Sequence, residues 1–239
     1  MQQHSTTPRL VSWLGYLAIT LLLALPLAVL TVRSGAWQEG LLLYALSCLG
    51  ALLLLLLAAV LLLLPRFAPW RSRIAWRALL TLPGTLLLLT LVGSRGDYPP
   101  IHDITTDTQD PPVFTAAQQQ RGPDANPLDI VAETVAQQEK AYPDLNTLRT
   151  SLPIDEAFDH ALQLAGSMGW TVYHQDRNAG VIEAVDSTSV MAFKDDVVIR
   201  LRTNAQGTLL DLRSVSRVGV SDLGANAKRI RDFQQQFEQ

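Results

Sequence analysis

Four arginines in the C-terminal part of the chain, Arg200, Arg202, Arg213 and Arg217, together with Lys194, are the residues whose spacing most readily does chemistry. Alternate side chains of a strand share a face. Arg200 and Arg202 therefore lie together, and Arg213 and Arg217 can lie on the same face of a neighbouring strand, with Lys194 near the edge. Four guanidinium forks side by side can grip a carboxylate, a phosphate or an acidic partner protein. The competing reading is plainer. If TNAQG is the loop between the two strands, Asp211 falls opposite about Arg200, and the charges form a cross-strand salt-bridge lattice.

A second group lies in DYPPIHDITTDTQDPPVF, where Asp103, Asp107 and Asp110, with His102, offer oxygens and a nitrogen to a hard cation. Calcium wants six to eight oxygens, and its familiar loop sets acids around a glycine before a distal Glu, which is absent here. Asp and Thr in such a stretch more simply make side-chain-to-backbone turns that shape an extended leash. Ser214, Ser216 and Ser221 accompany His102, His160 and His174, but none of the serines sits in a G-x-S-x-G elbow. Asp195 and Asp196 are adjacent, so in a strand they point to opposite faces and share no proton; a bulge or turn in FKDDV is the expectation there. Cys48, the single cysteine, stands in a Leu-rich run and excludes a disulfide framework or a thiolate zinc site. No cofactor is expected.

The elements that must position these residues follow from periodicity. Asn126 suits a helix cap and Pro127 a first helical position, with Leu128, Val131 and Val135 as an apolar stripe. Ala157, Phe158, Ala161, Leu162 and Ala165 predict a helix over about 154–168, stopped at Gly169. The period then becomes two. WTVYHQ and VIEAVDST flank DRNAG, and residues 190–202 and 208–218 flank TNAQG, which predicts two β-hairpins. Val197, Ile199 and Leu201 alternate with Val198, Arg200 and Arg202, and Leu210 and Leu212 with Asp211 and Arg213, so one sheet face is apolar and the other charged. Ser221 or Asp222 caps a last helix with Leu223, Ala227, Ile230, Phe233 and Phe237 on one side. The fold class is an α-helical membrane anchor followed by an α+β domain, a four-stranded antiparallel sheet with helices packed on one face.

The anchor is read from two uncharged runs, residues 10–32 and 41–64, each longer than the roughly 20 apolar residues that cross a bilayer. A third run reaches spanning length over 74–93 if Arg77 snorkels to the headgroups. The boundaries are therefore 1–94 for the anchor, 95–112 for an extended linker with four prolines, and 113–239 for the soluble domain. Net charge divides at the same place, +5 to Ser94 and −8 beyond it. An acidic soluble part argues against nucleic acid as a partner. PRFAPWRSRIAWR, residues 65–77, carries four Arg, against one Arg and one Glu between the first two runs, and basic loops stay cytoplasmic. Three spans then send the domain to the outer face.

YPPIHDITTDTQDPPVF, AYPDL, FKDDVVIRLR and DLRSVSRVGVSDLGANAKRI occur in an order that resembles the bacterial family called domain of unknown function 1499, over about Tyr98 to Phe237. The resemblance implies a shared fold and a cell-envelope setting, and supplies no catalytic mechanism. The resulting expectation is an inner-membrane-anchored protein. Its N-terminus is cytoplasmic and its periplasmic domain is a non-enzymatic interaction module. An envelope protein or an anionic ligand is the partner, and the bilayer is bound through three helices. The alternative is a small anionic-ligand binder or hydrolase that uses the Arg-rich sheet face.

Overall fold

The computed structural model describes residues 7–93 and 96–239, and the chain divides into two compact units, Met1–Arg95 and Gly96–Gln239. In the first unit α1 (Arg9–Arg33) and α2 (Trp37–Leu63) are rich in Leu, Ala and Val. A short 3-10 helix (Pro65–Trp70) then leads into α3 (Arg71–Leu79) and α4 (Leu82–Gly93). Two helices are long and apolar enough to cross a membrane, and the count becomes three if the pair Pro65–Leu79 and Leu82–Gly93, bent by 51°, is one span. The single helix expected over 74–93 is thus broken. Pro83 has no N–H to donate and its ring clashes with the carbonyl one turn back, so the chain turns at Leu80 and Thr81, where Thr81 Oγ1 donates to Ala78 O at 2.7 Å.

Small residues set the spacing inside this unit. A Cβ on Gly84 would come within 2.8 Å of the Ala51 Cβ on α2, the close approach that small residues permit between apolar helices. Arg77, expected to reach for headgroups, lies over Gly15 and donates to Val11 O at 2.6 Å.

The second unit runs β1 (Asp103–Thr105), α5 (Ala117–Gln120), α6 (Ala132–Ala141), β2 (Leu148–Thr150), α7 (Ile154–Ser167), β3 (Thr171–Asp176), β4 (Val181–Ser187), β5 (Lys194–Asn204), β6 (Gly207–Ser216) and α8 (Ala225–Phe237). The sheet is antiparallel in the order β1-β6-β5-β4-β3, with β2 also paired to β6. It has six strands, not four. The four long strands form the two hairpins read from the period of two; β1 and β2 have three residues each, too few to show any period. β1 also lies within 95–112, the stretch expected to be a linker, and contributes a strand to the sheet.

Along the apolar face, Ile182, Ala184, Val197, Ile199, Leu201, Leu210 and Leu212 pack with Phe158, Ala161 and Ala165 of α7 and Ala227, Ile230, Phe233 and Phe237 of α8. Burial of these side chains is the main source of stability, at about 1.5–3 kcal/mol for each large one. The opposite, polar face is covered by the segment 106–131. The helix expected from Asn126 begins only at Ala132, because the backbone before it is tied to the sheet. The Asn126 N–H donates to Arg217 O at 2.7 Å, its Nδ2 donates to Ser216 O and Gly219 O, and Leu128 O accepts from Arg213. Tertiary bonds here override local helix propensity.

Candidate functional site

The register of the second hairpin sets Arg200 opposite Asp211, as the TNAQG loop implied. Side chains at 196, 198, 200 and 202 point to the polar face, where they are joined by Asp103 of β1 and by Asp107 and Asp110 of the covering segment. Arg200 and Arg202 meet three carboxylates. Nη2 of each guanidinium reaches Asp107 Oδ2, at 3.1 and 3.0 Å, and Nη1 of each reaches Asp110 Oδ2, at 3.0 and 3.2 Å. Asp211 Oδ2 takes both Nη2 groups from below, at 3.2 and 2.7 Å.

Arg213 is only 2 % exposed. It makes a two-point contact with Asp103, at 2.9 and 2.6 Å, and its remaining hydrogens go to Pro112 O and Leu128 O. Arg217 makes the corresponding contact with Asp196, at 2.9 and 2.7 Å, and Arg121 of the covering segment reaches the same carboxylate at 2.6 Å. Lys194 is exposed at the start of β5, far along the strand from Arg202. The five basic residues therefore do not converge on one spot.

The electrostatics follow the geometry. Burial alone would raise the Asp107 pKa, but N–H groups of Asp110 and Gln109 and the Arg202 and Arg200 guanidiniums outweigh it and hold the carboxyl below its ordinary value. Burial lowers the Arg121 pKa, with Asp196 opposing the shift. Burial, then the Asp196 and Glu183 charges, push the Tyr173 hydroxyl far up, so it stays protonated and lies 3.4 Å from Asp196 Oδ1 as a donor.

The candidate metal ligands are separated by these pairings: Asp103 belongs to Arg213, whereas Asp107 and Asp110 belong to Arg200 and Arg202. Among the described residues no group of three or more His, Cys, Asp or Glu side chains is arranged to hold a metal ion. The serines and histidines are also dispersed. Ser214 and Ser216 bond with Asn226, Ser221 with Pro99 O, and His160 stacks on Phe237. Asp195 and Asp196 do lie on opposite faces. They belong to a regular strand, not a bulge, and Asp195 turns to Arg229 on α8 at 2.5 Å.

Two buried groups were not singled out in the sequence. Glu183 is fully buried, and its carboxylate accepts N–H bonds from Thr115, Ala116 and Ala117 at 2.5–3.1 Å and the Thr115 hydroxyl at 2.5 Å. An acid between Ile182 and Ala184 in β4 was the signal for it. Asn226 bridges Ser214, Ser216, His102 O and Arg229, and α8 supplies no comparable clue.

A cavity of about 10 Å³ lies beside Arg213, lined also by Asp103, Pro111 and Gln138, room for a single water. An open groove of about 370 Å³ runs along β3 past Tyr173, His174 and Gln175.

An antiparallel sheet with two helices on one face and an ion-paired covering segment on the other defines an α+β domain whose charged face is internal. The profile of the family described as Protein of unknown function (DUF1499) matches residues 103–237, more than half of the chain. The chain belongs to that family, and two long apolar N-terminal helices before the match could act as a membrane anchor. Comparison with curated proteins gives no match.

Proposed function

We propose that the chain is a non-enzymatic interaction module of the bacterial cell envelope, held in the inner membrane by three helices, with its domain on the periplasmic side. One observation carries the reading: Arg200, Arg202, Arg213 and Arg217 are all matched by carboxylates of the same domain. A catalytic or anion-binding site aims donors at open, concave space, whereas these donors are spent on holding residues 103–131 against the sheet. The arginines build a rigid domain, and a partner meets its rim, where Arg202 and Asp110 remain partly exposed. The small-anion or hydrolase alternative has the paired state of all four arginines against it.

Orientation rests on Arg66 of the short 3-10 helix and on Arg71, Arg73 and Arg77 of α3, a basic cluster that favours the cytoplasm for the start of that bent pair. α4 alone, about 18 Å long, falls short of the roughly 30 Å hydrocarbon layer; with α3 it reaches across. Alkaline phosphatase fused after Gln239 tests this. The fusion is active in cells if the domain is periplasmic, and a stable but inactive fusion overturns the orientation. A photo-crosslinking probe at position 202 then reports the partner. One dominant protein adduct, lost in Asp110→Lys, supports the module, and adducts with solvent alone overturn it.

A further inference from the structure

α4 ends at Gly93, and Tyr98 follows five residues later, so even a fully extended chain carries Tyr98 no more than about 18 Å from that helix end. The segment from Tyr98 to His102 is fastened to the loop that follows β6. Ser221 Oγ donates to Pro99 O at 3.2 Å, and the Asp222 N–H donates to Ile101 O at 3.1 Å. His102 Nδ1 lies 3.4 Å from Val220 O. The Tyr98 ring lies against Gly224, where a Cβ would come within 2.6 Å of it. The loop after β6 is thus bound to the part of the domain that follows the last apolar helix most closely along the chain.

That loop is apolar where a soluble surface would be polar. Val220 is 74 % exposed, Leu223 60 % and Tyr98 43 %. The register sets Ser187 beside Lys194 and Asp195 beside Ser216, so the β4–β5 loop, with Val190 at 61 %, emerges at the same end of the sheet. Among the described residues Ala192 and Leu223, at φ 56° and 52°, are the non-glycine residues with positive φ, one in each loop. An aliphatic residue enters that region only when its surroundings force it. Asp222 supplies the force at Leu223, its carboxylate accepting the N–H groups of Gly224 and Asn226. The same bonds turn that acid inward. Exposed charges on and beside these loops include Asp97, Asp124, Lys194 and Lys228, two of each sign.

We infer that this end of the sheet is seated on the bilayer. Val220 and Leu223 enter the boundary between headgroups and acyl chains, and Tyr98 lies at headgroup level, where amphipathic aromatic rings prefer to sit. The inference rests on the reading that the N-terminal helices span that bilayer. The domain is then held to the lipid surface by its own loops as well as by its tether.

The test uses full-length protein with Cys48→Ala and one new cysteine, Leu223→Cys or independently Val220→Cys, carrying an environment-sensitive fluorophore. The protein is reconstituted in vesicles of phosphatidylethanolamine and phosphatidylglycerol. Gln206→Cys, in the turn at the other end of the sheet, is the comparison. At 223 and 220 the expected result is blue-shifted emission, quenching by nitroxides on headgroups and shallow acyl positions, and several-fold protection from aqueous iodide relative to 206. Iodide quenching equal to that at 206, in protein that resists carbonate extraction, overturns the inference and leaves the anchor intact. Protection from iodide without quenching by lipid nitroxides marks a protein occupant and also overturns it. Protein released by carbonate overturns the anchor reading itself.

Discussion

Arg200 and Asp211 face each other across β5 and β6, and one oxygen of the fully buried Asp211 serves Arg200 and Arg202 together. Its other oxygen accepts the hydroxyls of Thr147, at 2.6 Å, and Thr106, at 3.2 Å. Asp211→Asn keeps the shape and removes the charge. The expected cost is about 3 kcal/mol, the lower end for breaking a buried pair, because Asp107 and Asp110 still hold both arginines. Hydrogen–deuterium exchange over β5 and β6 in the full-length protein reads it, and unchanged protection contradicts a stabilising role for the lattice.

Glu183 holds the covering segment by its backbone. Glu183→Gln replaces an acceptor oxygen with an NH₂ group aimed at backbone N–H donors, which leaves buried groups unmatched at about 1–3 kcal/mol. Residues 115–121 then open more often. Tryptic cleavage after Arg121 in otherwise folded protein rises about tenfold for each 1.4 kcal/mol lost.

Acid acts through Asp107, whose native pKa is lowered. Above the ordinary aspartate range both folded and unfolded chains are ionised, and the stabilisation is fully present. As pH falls through that range toward the lower native value, the unfolded chain takes up the proton first and the stabilisation drains away. Asp222 has the opposite sign: burial raises its pKa, so its contribution is present at low pH and fades as pH rises through the native value. Asp107→Asn should therefore lower the urea midpoint at neutral pH and flatten the acid limb of the midpoint-against-pH curve.

Within the anchor, Gly84→Val places a branched side chain where even a Cβ would lie 2.8 Å from Ala51. Overpacking costs about 1–3 kcal/mol, and the pair α2 and α4 must separate to relieve it. A drop of several degrees in the thermal midpoint of detergent-solubilised protein checks this. Gly93→Val, with nothing nearby, should leave the midpoint in place.

Much of this architecture was legible because periodicity reports one face at a time. The alternation of Val197, Ile199 and Leu201 with Arg200 and Arg202 gave the hairpin, its register and its two faces. It could not reveal what covers the charged face, because residues 106–131 carry no period and are shaped by bonds to the sheet. Asn126 and Pro127 looked like a helix start for the same reason: their local chemistry is that of a cap, but the sheet's carbonyls claim the Asn side chain. The carboxylate partners were half visible. Asp211 followed from loop length alone, whereas the pairing of Asp103 with Arg213, 110 residues apart, needed the fold.

That separation also sets a schedule for synthesis. β6 is the last strand to be made, yet β1, β2 and β5 all pair with it. At the usual elongation rate of about 5–20 residues per second, β1 waits roughly 5–20 s for its partner. During that interval Asp103 has no Arg213 to pair with, and Asp107 and Asp110 wait for Arg200 and Arg202 of β5. Completion of the domain therefore comes late, with a rate limited by closing long loops, and a chain cut short before Gly207 lacks the strand that β1, β2 and β5 share.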